Sequence, residues 1–393
     1  PIFYTLSLTH DGKILYVGGA FNNIGGKKRI GLAALDTSTG LATNWSANVE
    51  INDVLGTLID YDRLDGIVYS LALSSDGSVL YVGGWFDTIG GQLHPCSNHE
   101  EIYEMKNCYR TKGGEIKIHF AAVDAKTGKV LPLNFNTNDE VYALSLSPNG
   151  SLLFIGGLFK SGGGEARRYL AAFNSLTNQL TSWNPTAEGN FVAMSHGSHV
   201  DHVILSLALN PDGSILYVGG NFDKAGGKER HNLAAIDTKA GLATDWNLQV
   251  EGTVRALSSS PDGSILYVGG NFKSIGGQKR NYLAAIDTKT GLVTDWNPDI
   301  QIAPSVLAEA DELMPYWFGV FTFSFNQDGS ILYVGGWFDS VGGEERHNLA
   351  AIDTKTGLVT DWNPNADSFV ESLSFSPDGS ILYVGGNFKS IGG

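Results

Sequence analysis

The stretch His196-Gly-Ser-His199-Val-Asp201-His202 places three imidazoles and a carboxylate within seven residues. Imidazole nitrogen and carboxylate oxygen suit zinc or another first-row divalent ion. The spacing follows no established ligand signature, so solvated loop histidines are the competing reading. A second cluster surrounds the two cysteines of the chain, Cys96 and Cys108, with His94 and His99 beside them. Two thiols in one loop of an otherwise cysteine-free chain read first as a disulfide stapling that loop in an oxidising compartment, and second as a zinc site. The sequence contains no Gly-x-Ser-x-Gly, no phosphate-binding glycine loop opening a helix and no His-Glu-x-x-His. Aspartates are abundant but fall in turns, where capping of backbone N–H groups explains them. The expectation is a chain without catalytic residues or a resident cofactor, a divalent ion at the histidine loop being the one alternative.

Both clusters interrupt a repeat. Tyr-Val-Gly-Gly or a close variant begins at Tyr16, Tyr81, Phe154, Tyr217, Tyr267, Tyr333 and Tyr383, with tightest spacings of 50 residues. A second phrase, Leu-Ala-Ala-Ile-Asp-Thr-Lys-Thr-Gly-Leu-Val-Thr-Asp-Trp-Asn-Pro, follows every copy except the last, in places degraded. One unit predicts four strands: A over 253–259, B over 265–272, C over 282–286 and D ending in Trp296. The turn Ser260-Pro261-Asp262-Gly263 joins A to B, and Asp287 to Gly291 joins C to D. Strand B is apolar on both faces and must be covered on both. With no helix available as cover, four-stranded sheets must cover one another radially, which is a β-propeller. A double-sheet sandwich fits a strict four-strand unit poorly. The predicted fold is all-β, one domain over residues 1–393. A ring of seven positions is favoured, with six complete blades and a seventh hairpin over 370–388. A six-bladed ring with that hairpin outside it is the alternative.

The unit resembles the delta-60 β-propeller repeats of large secreted bacterial proteins. Gly269, Gly270, Phe272, Gly276, Gly277, Arg280, Leu283, Ala284, Asp287 and Trp296 carry the match. The Ser-Pro-Asp-Gly-Ser-x-Leu-Tyr-Val phrase is also similar to the YVTN propellers of microbial cell-surface proteins. Kelch repeats share the glycine doublet and a later tryptophan but lack the Pro-Asp-Gly turn. The resemblance implies surface display and binding at an extracellular or cell-surface location, not one particular reaction.

Numbered by their Tyr-Val-Gly-Gly phrase, blades one, three and five are followed by long connections, about 47–66, 186–203 and 299–318. A fourth insertion, 93–115, separates strands B and C of blade two. Four-stranded meanders alternate direction, so D-to-A and B-to-C connections are expected on one face, a natural binding face. The insertions carry apolar residues, among them Leu58, Tyr61, Leu313, Tyr316, Trp317 and Phe318, which either fold down over the propeller mouth or meet another protein. The partner expected is protein, including further copies of this chain as an oligomer or polymer. The alternative is a small-ligand or metal-binding propeller, or a hydrolase, that uses the central mouth. A formal charge of −15 and the lack of any basic run argue against nucleic acid. No apolar run is long enough to span a membrane. The sequons Asn44-Trp45-Ser46 and Asn149-Gly150-Ser151 could accept glycans in a secreted protein, chance occurrence being the competing reading.

Residues 376–393 repeat 260–277 letter for letter. The first residue is Pro1, which reads as a trimmed product. The seventh hairpin keeps strands A and B without C and D, and three arrangements would satisfy its edge: a longer parent chain, strands from a neighbouring subunit, or a place outside the ring. Inside the ring, Leu382, Val384 and Phe388 are expected to be buried against blade six or blade one. Trp45, Trp183, Trp246, Trp296 and Trp362 occupy equivalent strand-D positions, with Leu133 in blade two. They are expected to pack between blades rather than to form a sugar-stacking platform.

Overall fold

The computed structural model describes residues 1–392 except 51–65, 96–108, 113, 134, 190–191, 194–198, 201–202 and 305–317. In blade five, strand A (Val250–Ser259) pairs antiparallel with B (Ile265–Ile275), B with C (Leu283–Asp287), and C with D (Leu292–Val293). Predicted strands A and B lie within these, strand C is displaced by one residue, and strand D is shorter than expected and stops before Trp296. In blades one, two, four and six it is a single bridge, such as Leu35 to Ala42. The A-to-B turn is closed by a side chain. Asp262 Oδ1 accepts from Ser260 Oγ at 2.6 Å and from the Ser264 amide at 3.0 Å, and Gly263 takes the left-handed conformation, φ 74°. Asn149 does the same work in blade three, accepting from the Ser151 amide at 3.0 Å, so this sequon is also a turn anchor.

Each blade is tied internally by a basic side chain. Arg280 Nη2 donates to the Thr294 carbonyl at 2.7 Å, and Arg29, Arg167, Arg230 and Arg346 make the same bond to Thr43, Thr181, Thr244 and Thr360. In blade two Lys117 reaches the Leu133 carbonyl instead. The arginine of the repeat is therefore a clasp between the B-to-C loop and strand D.

Between blades the packing is apolar. Tyr267 of strand B meets Trp296 of its own blade at 5.1 Å and Phe325 of blade six at 5.5 Å. The tryptophan nitrogens reach into the following blade: Trp45 Nε1 donates to the Asp124 carbonyl, Trp183 to Asp237 and Trp296 to Asp353, at 3.4, 3.3 and 3.1 Å. Inter-blade packing is thus the role of these tryptophans.

The A strands stand side by side in chain order: Ile2–Leu8, Ile67–Leu73, Val141–Leu146, Val203–Leu209, Val250–Ser259, Gly319–Phe325 and Val370–Phe375. The last packs against Gly319–Phe325 on one side and Ile2–Leu8 on the other. Their turns also touch in succession. Pro148 lies against Gly213, Pro211 against Gly263 and Pro261 against Gly329. Pro377 of the seventh hairpin lies in the same way against Gly12 of blade one, where an added Cβ would meet its Cδ at 2.9 Å.

The seventh hairpin pairs Val370–Phe375 with Leu382–Gly386. Val384 and Phe388 pack on Leu349, Ala366 and Val370, and Tyr383 joins the cluster of Leu15, Val17 and Phe21. The hairpin is docked on both neighbours, but Leu382, Val384 and Phe388 are half-buried rather than buried. Among the described residues no strand C covers them.

Candidate functional site

Two regions gather side chains that the repeat does not need. The first is the axis inside the A strands. Every A strand carries a β-bulge at one place, seen as a register shift between Val254 and Ala256 in blade five and at the matching step in the other six. A bulge re-aims the extra residue without ending the ladder. The seven extra residues are Tyr4, Tyr69, Tyr142, Leu205, Arg255, Phe321 and Glu371, each half-buried. In a chain that repeats itself so closely, this position is unusually varied. Tyr4 meets Tyr69 at 5.3 Å, and Tyr69 stacks on Tyr142 at 4.7 Å. On the other side the Arg255 guanidinium lies 5.3 Å over the Phe321 ring.

Arg255 and Glu371 feel one another across blade six. Enclosure between the strands pushes the Glu371 carboxyl up to about 7, and the Arg255 charge only partly opposes this. The same enclosure lowers the guanidinium of Arg255, against the pull of Glu371. Near Tyr142, burial raises the Glu140 carboxyl while the phenol hydroxyl donates to it. The axis therefore has an aromatic half and an ionic half. It offers a carboxyl whose ionisation is pushed up to about 7 and a phenol that donates to a second carboxyl.

The second region is the rim where connections meet. The connection leaving strand D of each blade pairs with the B-to-C loop of the next: Val49 with Ile89, Thr137 with Gly162, Ala187 with Ala225, Val250 with Ile275, Ile300 with Val341 and Ala366 with Ile391. Of the residues expected at the interaction loops, Leu58, Tyr61, Leu313, Tyr316 and Trp317 lie outside the described residues. Phe318 is fully buried and meets Trp337 at 4.8 Å, so it anchors the end of its loop in the core. His196, Asp201 and His202 also lie outside the described residues. His199 is described only as backbone, in a two-residue strand with Val200 that pairs with Val192–Ala193. Cys96, Cys108 and His99 lie outside too, and His94 is described only as backbone opposite Arg110. Among the described residues, no three His, Cys, Asp or Glu side chains converge as a metal site.

Comparison with known proteins adds the class. Residues 260–284 match a family described as a β-propeller domain of unknown function, DUF5122. A hydrazine synthase of Kuenenia stuttgartiensis is similar over 98% of this chain and 92% of its own, at TM-score 0.56 and 14% identity. A chain of a mitotic checkpoint complex is similar over 96% and 82%, at TM-score 0.52 and 16% identity. No curated protein matches the sequence. The chain is an all-β protein of the β-propeller class. At these identities the two structural likenesses speak for fold and not for activity. Among the described residues no helix is long and apolar enough to cross a membrane.

Proposed function

We propose that this propeller is a secreted or cell-surface scaffold without catalytic activity, whose insertion-bearing rim binds protein, including further copies of itself. One observation carries the reading: the pairing of D-to-A connections with B-to-C loops. Insertions 47–66, 186–203 and 299–318 are D-to-A connections and 93–115 is a B-to-C connection, so all four leave from that rim. Long loops collected at one end of a rigid scaffold make a binding face. The succession of A strands and of turn contacts, with Pro377 against Gly12, supports a frame of seven positions. The similar chain from a mitotic checkpoint complex belongs to a protein assembly, in keeping with this use of the fold. The test is sedimentation over a range of concentrations. Native protein, 42.0 kDa per chain, is expected to associate, and a variant with 51–65 and 305–317 replaced by short connections is expected to stay at the mass of its own monomer. Equal behaviour of the two would remove the rim from the account.

An external location implies an oxidising compartment, and the reading includes a Cys96–Cys108 disulfide. Gln92–Pro95 and Tyr109–Lys112, which flank the stretch that carries both cysteines, pair as an antiparallel ladder, in keeping with a closed loop there. Closing so short a loop would contribute roughly 3 kcal/mol. Intact mass with alkylation, before and after reduction, decides it: two free thiols in native protein, or bound zinc, overturn the bond. A divalent ion at 196–202 is tested by the metal content of dialysed protein. A second reading, small-ligand binding at the central mouth, is favoured by the enclosed Arg255–Glu371 pair.

A further inference from the structure

Where blade six meets the seventh hairpin, the rim opens into a cleft of about 460 Å³. That is the size range of small-molecule sites. Its origin is a pair of changes at a repeated junction. Between blades four and five, Val250 pairs with a fully buried Ile275. Here Ala366 pairs with Ile391, which stands 37% exposed although its flanking letters are the same. Ala366 lines the space and the exposed Ile391 is its pairing partner.

The walls are chemically mixed. Trp337 lines one wall with aromatic surface, held by Phe369 stacked on it at 5.6 Å and by Phe318 in an edge contact at 4.8 Å. Two carboxylates are held in place by backbone amides: Asp339 Oδ2 accepts from Ala303 at 2.6 Å, and Asp367 Oδ1 from Lys389 at 2.7 Å. His347 lies between Asp339 and Glu345, its Nε2 2.7 Å from the Glu345 carboxylate. The hydroxyls of Ser368 and Ser390 line the cleft with no hydrogen-bond partner among the described residues. With Asn365 at the same wall, the cleft offers fixed acceptors, free hydroxyls and one apolar plane.

We propose that this cleft binds a neutral pyranose sugar. A sugar ring has an apolar C–H face to lay on an aromatic surface and a girdle of hydroxyls, each both donor and acceptor. That pattern matches carboxylates, hydroxyls and an amide set around an indole. An anionic ligand is disfavoured, because Asp339 and Asp367 face it and no lysine or arginine is among the lining residues. An ammonium would use the carboxylates and leave the two serine hydroxyls and the Asn365 amide without work.

The site is distinct from Trp45, Trp183 and Trp296, which are committed to inter-blade packing, and from Trp362, which stands 38% exposed instead of packing as expected. Saturation-transfer NMR and calorimetry on the full chain, with the methyl glycosides of glucose, galactose and mannose and with N-acetylglucosamine, test the proposal. At least one sugar is expected to saturate. Ala366→Val restores the side chain found at the blade-four junction and is expected to abolish binding while the melting temperature holds. Asp367→Asn and Asp339→Asn are each expected to weaken it roughly tenfold, the usual loss for a hydrogen bond to a charged group. Three results overturn the assignment: no saturation by any of the four sugars, binding that Ala366→Val leaves intact, or carboxylate-dependent binding of tetramethylammonium in their place.

Discussion

Residues 260–277 and 376–393 are one eighteen-letter phrase in two settings, and they do not become one structure. Their turns agree closely. Asp378 accepts from Ser376 Oγ at 2.6 Å and from the Ser380 amide at 3.1 Å, against 2.6 and 3.0 Å at Asp262. Past the turn they part. Strand B runs Ile265–Ile275 in blade five but only Leu382–Gly386 in the hairpin. Leu266, Val268, Phe272 and Ile275 are buried, whereas Ile381 and Ile391 are exposed and the residues between are at best half-covered, apart from the glycines. Turn geometry is written within five residues. Strand length and burial are conferred by strands C and D and by the neighbouring blade.

The sharpest test lies one blade earlier. Trp296 reaches the C-to-D turn of blade six and is buried, while Trp362 has no such turn to meet among the described residues and stands 38% exposed. Trp296→Ala is expected to cost about 3–5 kcal/mol in denaturant unfolding. Trp362→Ala should cost under about 1 kcal/mol, as for a surface position. Equal losses would break the comparison. The next effect is a pH dependence. Glu371 is raised to about 7 from 4.5, so the folded protein holds this proton more tightly than the unfolded chain. The stability this confers is complete below about 4.5 and is lost as pH rises through 7. The loss is on the order of 3 kcal/mol, and Glu371→Gln should flatten that window. A parallel profile in the variant would remove the ionic half of the axis. The smallest effect belongs to the turns. Asp262 and Asp378 are both lowered by their serine partners, Asp378 to about 2. Each therefore supports the fold above 3.8 and ceases to as pH falls through its lowered value. Asp262→Ala and Asp378→Ala should shift the melting temperature by the same small amount. Unequal shifts would show that the turn is not locally determined.

The four-strand unit, the Pro-Asp-Gly turn and the packing role of Trp296 were legible because each rests on residues repeated in phase. The inward row of bulged residues was not. Whether Arg255 points to the core or to the axis depends on one extra residue in the ladder, and nothing in TVRALSS announces it. The Arg255–Glu371 relation, 116 residues apart in sequence, follows only once both bulges are known. The cleft was hidden for another reason: it depends on Ala366 standing where Val250 stands, and on the different fates of identical isoleucines. The cysteine loop lay between these extremes: spacing named the pair as a candidate, and the structure describes only the ladder that flanks it, Gln92–Pro95 with Tyr109–Lys112.

The tryptophan bonds to the next blade join blade one to two, three to four and five to six. The same alternation appears in the letters after Gly-Gly-x-Phe. Asp87, Asp223 and Asp339 mark the even blades, and Asn22, Lys160, Lys273 and Lys389 the odd positions. In terms of descent, the copied unit is then a pair of blades. Recombination between near-identical pairs would add or delete two blades at a time, leaving every junction with a partner of the parity it already had.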